Sequence, residues 1–334
     1  MRVLGLTMRN SGCGYHRVCL PLELMDNVQG INTDKPKEDQ RFDILLFNRL
    51  TYYYDEDINK ARDIYGCKLV MDIDDDWVLP VDHVLYYNLK KLEPYIENNL
   101  RNADIVTCTN QRLADRIYPF NNNVHILPNA IPYGYNQFNT DKVQDDRVRL
   151  FWCGSITHEY DLSLLRYPLQ RLQGQHQKIK MVIGGYSASN VNEKAVWDRM
   201  VRLFTNNFKL PYEVYRGLLP EMYMEIYDFA DICLIPLEKS DWHACKSNLK
   251  ILEAATKKCP VIVSNVEPYN VDKNMPVLWV NNTADWYKHM NYLINNKNAR
   301  IDYGEALHEY CKEHYNYKQI NDRRRSTFES LVNA

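Results

Sequence analysis

The chain has 334 residues, 45% of them hydrophobic, which is enough for two domains of ordinary size with a core in each. Its net charge is −2, so no global basic field draws it to nucleic acid or an acidic membrane; residues 1–147 carry 17 Lys+Arg against 22 Asp+Glu, leaving 24 against 21, so any anion-binding half is the second. Nine cysteines without a CxxC fit reduced thiols; the polar start excludes a signal peptide, and no apolar run is long enough for an integral membrane segment, so a cytoplasmic protein is expected.

Val3 to Met8 reads as a buried strand, followed by a glycine-containing turn, Gly12-Cys-Gly14-Tyr-His-Arg17, and a helix to about Asn27. A dinucleotide fingerprint needs a third glycine where Arg17 stands, so a Rossmann cofactor site is not indicated. Phe42 to Phe47 is a strand, Asp55 to Tyr65 a helix, and Lys68 to Ile73 a strand running into Asp72-Ile-Asp74-Asp75-Asp76-Trp77. Four carboxylates within five residues repel one another unless cations or donors offset them. They suit a metal-dependent phosphotransferase or a DxD-type sugar transferase, metal-free contacts lining a cleft, or a solvated acidic loop. No later segment supplies the partner motifs of the phosphotransferase, so metal-free cleft carboxylates are preferred.

His83 to Leu100 reads as one long helix, Ala103 to Thr109 as a strand, Gln111 to Ile117 as a helix and His125 to Ile131 as a strand ending in a turn. Tyr133 to Arg147 is polar and aperiodic, as an interdomain linker would be. Val148 to Cys153 is a strand followed by Gly154-Ser155, a turn whose backbone a phosphate can approach. Strands Lys178 to Gly185, Tyr212 to Gly217 and Ala230 to Pro236 alternate with helices Asn192 to Phe204 and Glu221 to Phe229, a doubly wound pattern.

From Lys246 the spacing predicts a helix, with Leu249, Leu252, Ala255 and Thr256 on one face, followed by the strand Val261 to Ser264. Such a helix start offers unpaired amides at Ser247, Asn248 and Leu249 to a diphosphate, with Lys246 adding a full charge; Glu253, further along, is an acceptor suited to a ribose diol. The tail from about Ala284 to Leu331 is helical. His308, Cys311 and His314 spread over more than one helix face and lack a fourth ligand, so no metal site is read there, and Arg323–Arg325 is a solvated basic cluster.

The segment KSNLKILEAATKKCPVIVS resembles the donor-binding signature of retaining GT-B glycosyltransferases, the large bacterial family of lipopolysaccharide and capsule enzymes with the E-x7-E motif. Glu253 matches the second Glu of that motif, Cys245 stands where the first is expected, and Lys258 replaces the usual Gly before Cys259-Pro-Val-Ile. "GxGYxR", "HILPNAI" and "FxGSxxHxxDL" are similar to the family's glycine loop, its PN turn and its donor loop, in the family's order. The resemblance implies an α/β GT-B fold of two Rossmann-like, doubly wound domains facing a central cleft. Residues 1–140 would be the acceptor domain, 148–315 the donor domain, and 316–334 a last helix crossing back to the first. It implies sugar transfer from a nucleotide-sugar, such as a UDP- or GDP-sugar, to an acceptor hydroxyl with retention, and neither cofactor nor metal.

By that resemblance Gly14, Arg17, Gly154, Ser155, Ser247, Asn248, Leu249 and Glu253 would bind the donor. The Arg and Lys that follow the donor loop in many relatives are missing, so Lys246 takes the cationic role, helped by Arg216 or Lys250. Lys246, Asp72, Asp74 and His158 are the catalytic candidates, and Asp75, Trp77 and His83 lie on the acceptor side. A saccharide or lipid-linked glycan is the expected acceptor. The alternatives are a hydroxymethylated pyrimidine in DNA, as for phage glucosyltransferases, and a nucleotide-sugar-binding protein without catalysis.

Overall fold

The computed structural model describes residues 1–8, 11–32, 41–49 and 56–333. The chain divides into two units: Met1–Ala130 with Ala244–Ser247 and Tyr317–Ala334, and Ile131–His243 with Asn248–Asn316.

The first unit carries strands β1 (Arg2–Leu6), β2 (Gln29–Asn32), β3 (Ile44–Asn48), β4 (Lys68–Ile73), β5 (Ile105–Cys108) and β6 (Val124–Ile126). They form a parallel sheet in the order β2-β1-β3-β4-β5-β6. Leu4, Leu45, Phe47, Leu69 and Met71 pack on one face with Ile58, Ile96, Leu100, Leu113 and Ile117. Val3, Ile44, Leu46, Val70 and Ile105 pack on the other with Val18, Leu22 and Phe328. Successive strand residues serve opposite faces, so a sheet covered on both sides demands the unbroken apolar runs seen in the sequence. Each fully buried side chain of this kind contributes about 1.5–3 kcal/mol.

The second unit carries β7 (Val148–Cys153), β8 (Ile179–Tyr186), β9 (Tyr212–Arg216), β10 (Ile232–Ile235), β11 (Val261–Ser264) and β12 (Leu278–Val280), again parallel, in the order β12-β11-β10-β7-β8-β9. Trp152, Ile183, Ile232, Leu234 and Ile262 meet Leu165, Trp197, Met200, Phe204, Trp286 and Met290 in its core. The chain lays β8 and β9 on one side of β7 and then crosses to place β10 on the other, so the loops leaving β7 and β10 diverge at a topological switch point.

Several expected boundaries move. The helix expected from Lys246 begins at Leu249, after Asn248 in the cap position, so Lys246 and Ser247 precede it. The long helix from His83 is broken into Tyr86–Leu89, a tight turn at Lys90–Leu92 and Glu93–Asn102, because Pro94 cannot donate into a continuing turn and fits only at a helix start. Glu221 to Phe229 narrows to a tight 3₁₀ turn, Tyr223–Phe229. The strand from His125 ends at Ile126, two residues before Pro128. Asp55 of the expected helix, and Arg9 and Asn10 ahead of the glycine turn, lie outside the described residues.

Candidate functional site

In the first unit the acidic run at the carboxyl end of β4 is matched carboxylate by carboxylate with cations. Asp72 receives Arg17 through Nε and Nη2, both at 2.9 Å, and the Thr107 hydroxyl at 2.6 Å. Arg17 Nη1 donates to the Leu127 carbonyl and to Asn129 Oδ1. Burial alone would lower the Arg17 pKa, but the Asp72 charge prevails and holds it above the ordinary arginine range. With Arg17 and Asp72 each 1% exposed, this pair ties the ends of β4, β5 and β6 to the helical stretch after β1. Asp74 accepts from Arg49 Nε at 3.3 Å and Asn48 Nδ2 at 3.4 Å, and Asp75 from Arg49 Nη2 at 3.5 Å. Asp76 takes Arg116 Nε at 3.0 Å. Despite burial, the Arg49 charge keeps the Asp74 carboxyl below its usual value.

The stretch Gly12–Glu23 is helical throughout, with a wide turn at Tyr15–Cys19 closed by the Leu20 amide on the Tyr15 carbonyl. A Cβ on Gly14 would fall 1.7 Å from Thr7 Oγ1, so this turn requires glycine. Trp77 is 2% exposed and packs edge-on against Phe120, which places it in the core and not at an acceptor surface. His83, half-buried, accepts the Leu85 amide on Nδ1 at 3.1 Å.

Lys246 belongs to this unit as well: its Nζ lies 3.4 Å from Asp75, and Asn110 Nδ2 donates to its carbonyl at 2.6 Å. Asn129 Nδ2 donates to Ser247 Oγ at 2.8 Å. Cys245, 3% exposed, packs in the apolar cluster with Trp77 and Leu113, and burial pushes its thiol up to about 12.

In the second unit the turn Gly154–Ser155 leaves β7 at the switch point. Gly185, with φ +91°, lies so close that a Cβ there would meet the Gly154 carbonyl oxygen at 2.4 Å. Lys250, in the first turn of the helix Leu249–Thr256, lays its ammonium over the Trp152 ring, 5.6 Å from the centroid, and donates to the Cys153 carbonyl at 3.1 Å. Ser155 is exposed and shares a 2.7 Å hydrogen bond with Thr157. His158 Nδ1 is 2.7 Å from Asp161 Oδ2, while His243 Nε2 lies 3.5 Å and the Glu238 amide 2.8 Å from the other oxygen. Burial raises the Asp161 carboxyl, but the His158 hydrogen bond and these other contacts overcome it and hold it below its ordinary value.

Glu253, 6% exposed, accepts from the hydroxyls of Tyr223 and Tyr227, the latter at 2.6 Å. Burial raises its pKa, a shift the two tyrosines and Lys250 only partly oppose. Arg216 is exposed at the end of the edge strand β9.

No protein-family model matches the sequence, and no curated protein matches it. Solved structures match throughout. HepE from Anabaena, solved in complexes with UDP and with UDP-glucose, aligns over 99% of this chain and all of its own with a TM-score of 0.63 and 12% identity in the UDP complex. TarM, also solved from S. aureus with fondaparinux, α-GlcNAc-glycerol and UDP, aligns over 95% of this chain with a TM-score of 0.60 and 16% identity. The chain spans 57% of TarM's length. A UDP-forming trehalose-phosphate synthase from Burkholderia xenovorans aligns over 90% of this chain and 75% of its own, with a TM-score of 0.60 and 13% identity.

The chain has the GT-B fold. Two six-stranded parallel sheets, each helix-covered, are the architecture it shares with these structures. Within it, the structure brings Gly154, Ser155, Lys250 and Glu253 to the carboxyl end of the second sheet, and Gly14, Asp74, Asp75, Lys246 and Ser247 to the first unit. Arg49, Arg116 and the tyrosine pair are not indicated by the sequence, whereas Asp161 is the Asp of the FxGSxxHxxDL stretch. Arg49 directly follows the apolar strand Ile44–Asn48, a place where a lone arginine at a strand's carboxyl end could have been noticed. No helix among the described residues is long and apolar enough to cross a membrane.

Proposed function

We propose that this protein transfers a sugar from a nucleotide-sugar donor to an acceptor hydroxyl with retention of anomeric configuration. The observation that carries the reading is Lys250: its ammonium sits against the Gly154–Ser155 turn at the switch point of the second sheet, with Glu253 one helical turn further along. A diphosphate at that turn would meet a full positive charge and the positive end of the helix dipole, and charge on the departing diphosphate grows toward the transition state. Glu253 is an acceptor-only carboxylate already receiving two tyrosine hydroxyls, which is the chemistry that accepting from a ribose diol requires. The complexes of HepE with UDP and UDP-glucose favour a uridine donor.

On this reading Arg17 and Asp72 are positioning residues, Asp161 orients His158, and Asp74 and Asp75 are acceptor-side groups held by Arg49. A saccharide or lipid-linked glycan is the acceptor proposed. Cys245, buried where the resembled motif has its first Glu, supports a second reading, a nucleotide-sugar-binding protein without catalysis. The test is to incubate the full chain with UDP- and GDP-sugars, follow donor hydrolysis, and then add glycan, lipid-linked and hydroxymethylated DNA acceptors. Transfer with retained configuration supports the proposal. Tight nucleotide-sugar binding without hydrolysis or transfer to any acceptor would replace it with the second reading.

A further inference from the structure

The last helix, Tyr317–Val332, presents Ile320, Asn321, Arg324 and Phe328 to the interior of the first unit. Tyr317 precedes Arg324 by seven residues, two turns, and so shares this face. Arg324 is 3% exposed, yet among the described residues its guanidinium makes one hydrogen bond, from Nη1 to Asn321 Oδ1 at 2.8 Å, and no ion pair. Asn321 is committed on its other side, donating Nδ2 to the Pro21 carbonyl at 3.0 Å. The Tyr317 hydroxyl is buried and has no hydrogen-bond partner.

An unpaired buried charge is costly unless something compensates it. Asp72 attracts Arg324 only in part and forms no ion pair with it, because Arg17 occupies both of the Asp72 oxygens. Burial and repulsion from Arg17 bring the Arg324 pKa down to about 10, so the group stays charged at neutral pH. A buried cation without an ion pair and a buried hydroxyl without an acceptor, on one helix face, call for an oxyanion. The Nε and Nη2 edge of Arg324 is the fork that grips two oxygens of a phosphate in parallel, and a tyrosine O–H suits a third.

We propose that Arg324 and Tyr317 form a binding site for a phosphate group in the first unit, using residues other than those assigned to the donor diphosphate. Inorganic phosphate and a sugar phosphate share this chemistry, and the test separates them.

Thermal unfolding of the full chain is followed against inorganic phosphate, with sodium chloride at matched ionic strength as control, and against glucose 6-phosphate with glucose as control. Each series is run on wild type, Lys250→Ala, Arg324→Gln and Tyr317→Phe. Lys250→Ala removes the donor-side cation, so a response that survives there comes from elsewhere. The expected result is a saturable rise of about 3 °C or more at twentyfold excess over the apparent Kd, in wild type and in Lys250→Ala. Arg324→Gln should abolish it and Tyr317→Phe should raise the apparent Kd severalfold. A response to glucose 6-phosphate at tenfold lower concentration than to phosphate would identify a phosphorylated sugar; equal responses would identify the free anion. No phosphate response beyond that of chloride, or one unchanged in Arg324→Gln, overturns the site. Should Arg324→Gln not fold, an unchanged apparent Kd in Tyr317→Phe, which loses a hydroxyl unbonded in the protein, overturns it. Because Lys250→Ala removes the donor-side contribution, failure here leaves the transferase proposal standing, and the reverse also holds.

Discussion

Lys250 Nζ and the Cys153 carbonyl oxygen lie 3.1 Å apart, which brings the ammonium to the base of the Gly154–Ser155 turn. A lysine in the first turn of a helix opposes the macrodipole, and an anion placed between the two removes that conflict. The sequence favours Lys246 as the cation, but the structure pairs it with Asp75.

Replacing Lys250 should therefore cost more than replacing Lys246. For Lys250→Ala, kcat is expected to fall about a hundredfold, while nucleoside affinity changes less than about threefold, because the lost charge acts on the diphosphate as it departs. Steady-state kinetics alongside nucleoside and nucleoside-diphosphate titrations would check it; wild-type turnover removes Lys250 from the site.

Glu253→Gln should weaken nucleotide binding by about 10- to 150-fold, the equivalent of a charged hydrogen-bond pair of about 1.5–3 kcal/mol. The fold should survive, since glutamine still offers an oxygen to Tyr223 or Tyr227. Calorimetric titration of the folded variant with UDP decides; unchanged affinity refutes the ribose role.

Gly185 has two reasons to be glycine, φ of +91° and a Gly154 carbonyl where a Cβ would go. Gly185→Ala is expected to destabilise by about 1–3 kcal/mol and to raise KM for the donor by displacing the Gly154 turn. Urea unfolding with donor kinetics tests both effects, and an alanine variant with wild-type values on both would show the turn to be tolerant.

Lys258 stands where the resembled motif has glycine, and its φ is +49°. Lys258→Gly should stabilise by about 0.5–1 kcal/mol by removing left-handed strain, less whatever its exposed pair with Glu305 contributes. A lower denaturation midpoint in the glycine variant would mean that the ion pair and chain entropy outweigh the strain.

His16 gives the protein a predictable acid sensitivity. Burial and then the Arg17 charge lower its pKa from 6.5 to about 4. The folded state thus keeps the ring neutral where the unfolded state already binds a proton, so stability is present above 6.5 and declines as pH falls from 6.5 toward 4. Between pH 7 and pH 5 the loss through this group is about 2 kcal/mol. Urea midpoints at the two pH values, compared between wild type and His16→Gln, should show that much less pH dependence in the variant; equal slopes would refute the assignment.

The sequence placed Lys68–Ile73, Gln111–Ile117, Val148–Cys153 and Val261–Ser264 at the limits the structure shows. These segments are strongly apolar or regularly spaced, and local pattern is enough for them. It missed β2 and β12, three to four residues each, which exist because a neighbouring parallel strand supplies their hydrogen bonds. It also started the donor helix at Lys246, because periodicity cannot sense that Asn110 bonds the Cys245 and Lys246 carbonyls and draws that segment into the first unit.

What the sequence determined by itself is the class of architecture: two successions of buried strands and amphipathic helices, punctuated by glycine turns, admit little but two doubly wound sheets. It also offers Gly154, Ser155 and Glu253 as candidates, since a turn after a strand and a carboxylate along a helix are local properties. Pairing of charges is not local. Arg17 finds Asp72 across 55 positions, Lys246 finds Asp75 across 171, and Lys250 finds the Cys153 carbonyl across 97. Coulomb energy and hydrogen bonding depend on distance in space and on burial, which strand order fixes and chain spacing does not. Only the tertiary structure could therefore decide which lysine faces the Gly154 turn, which aspartates are already neutralised, and that Arg324 is buried with no ion pair among the described residues.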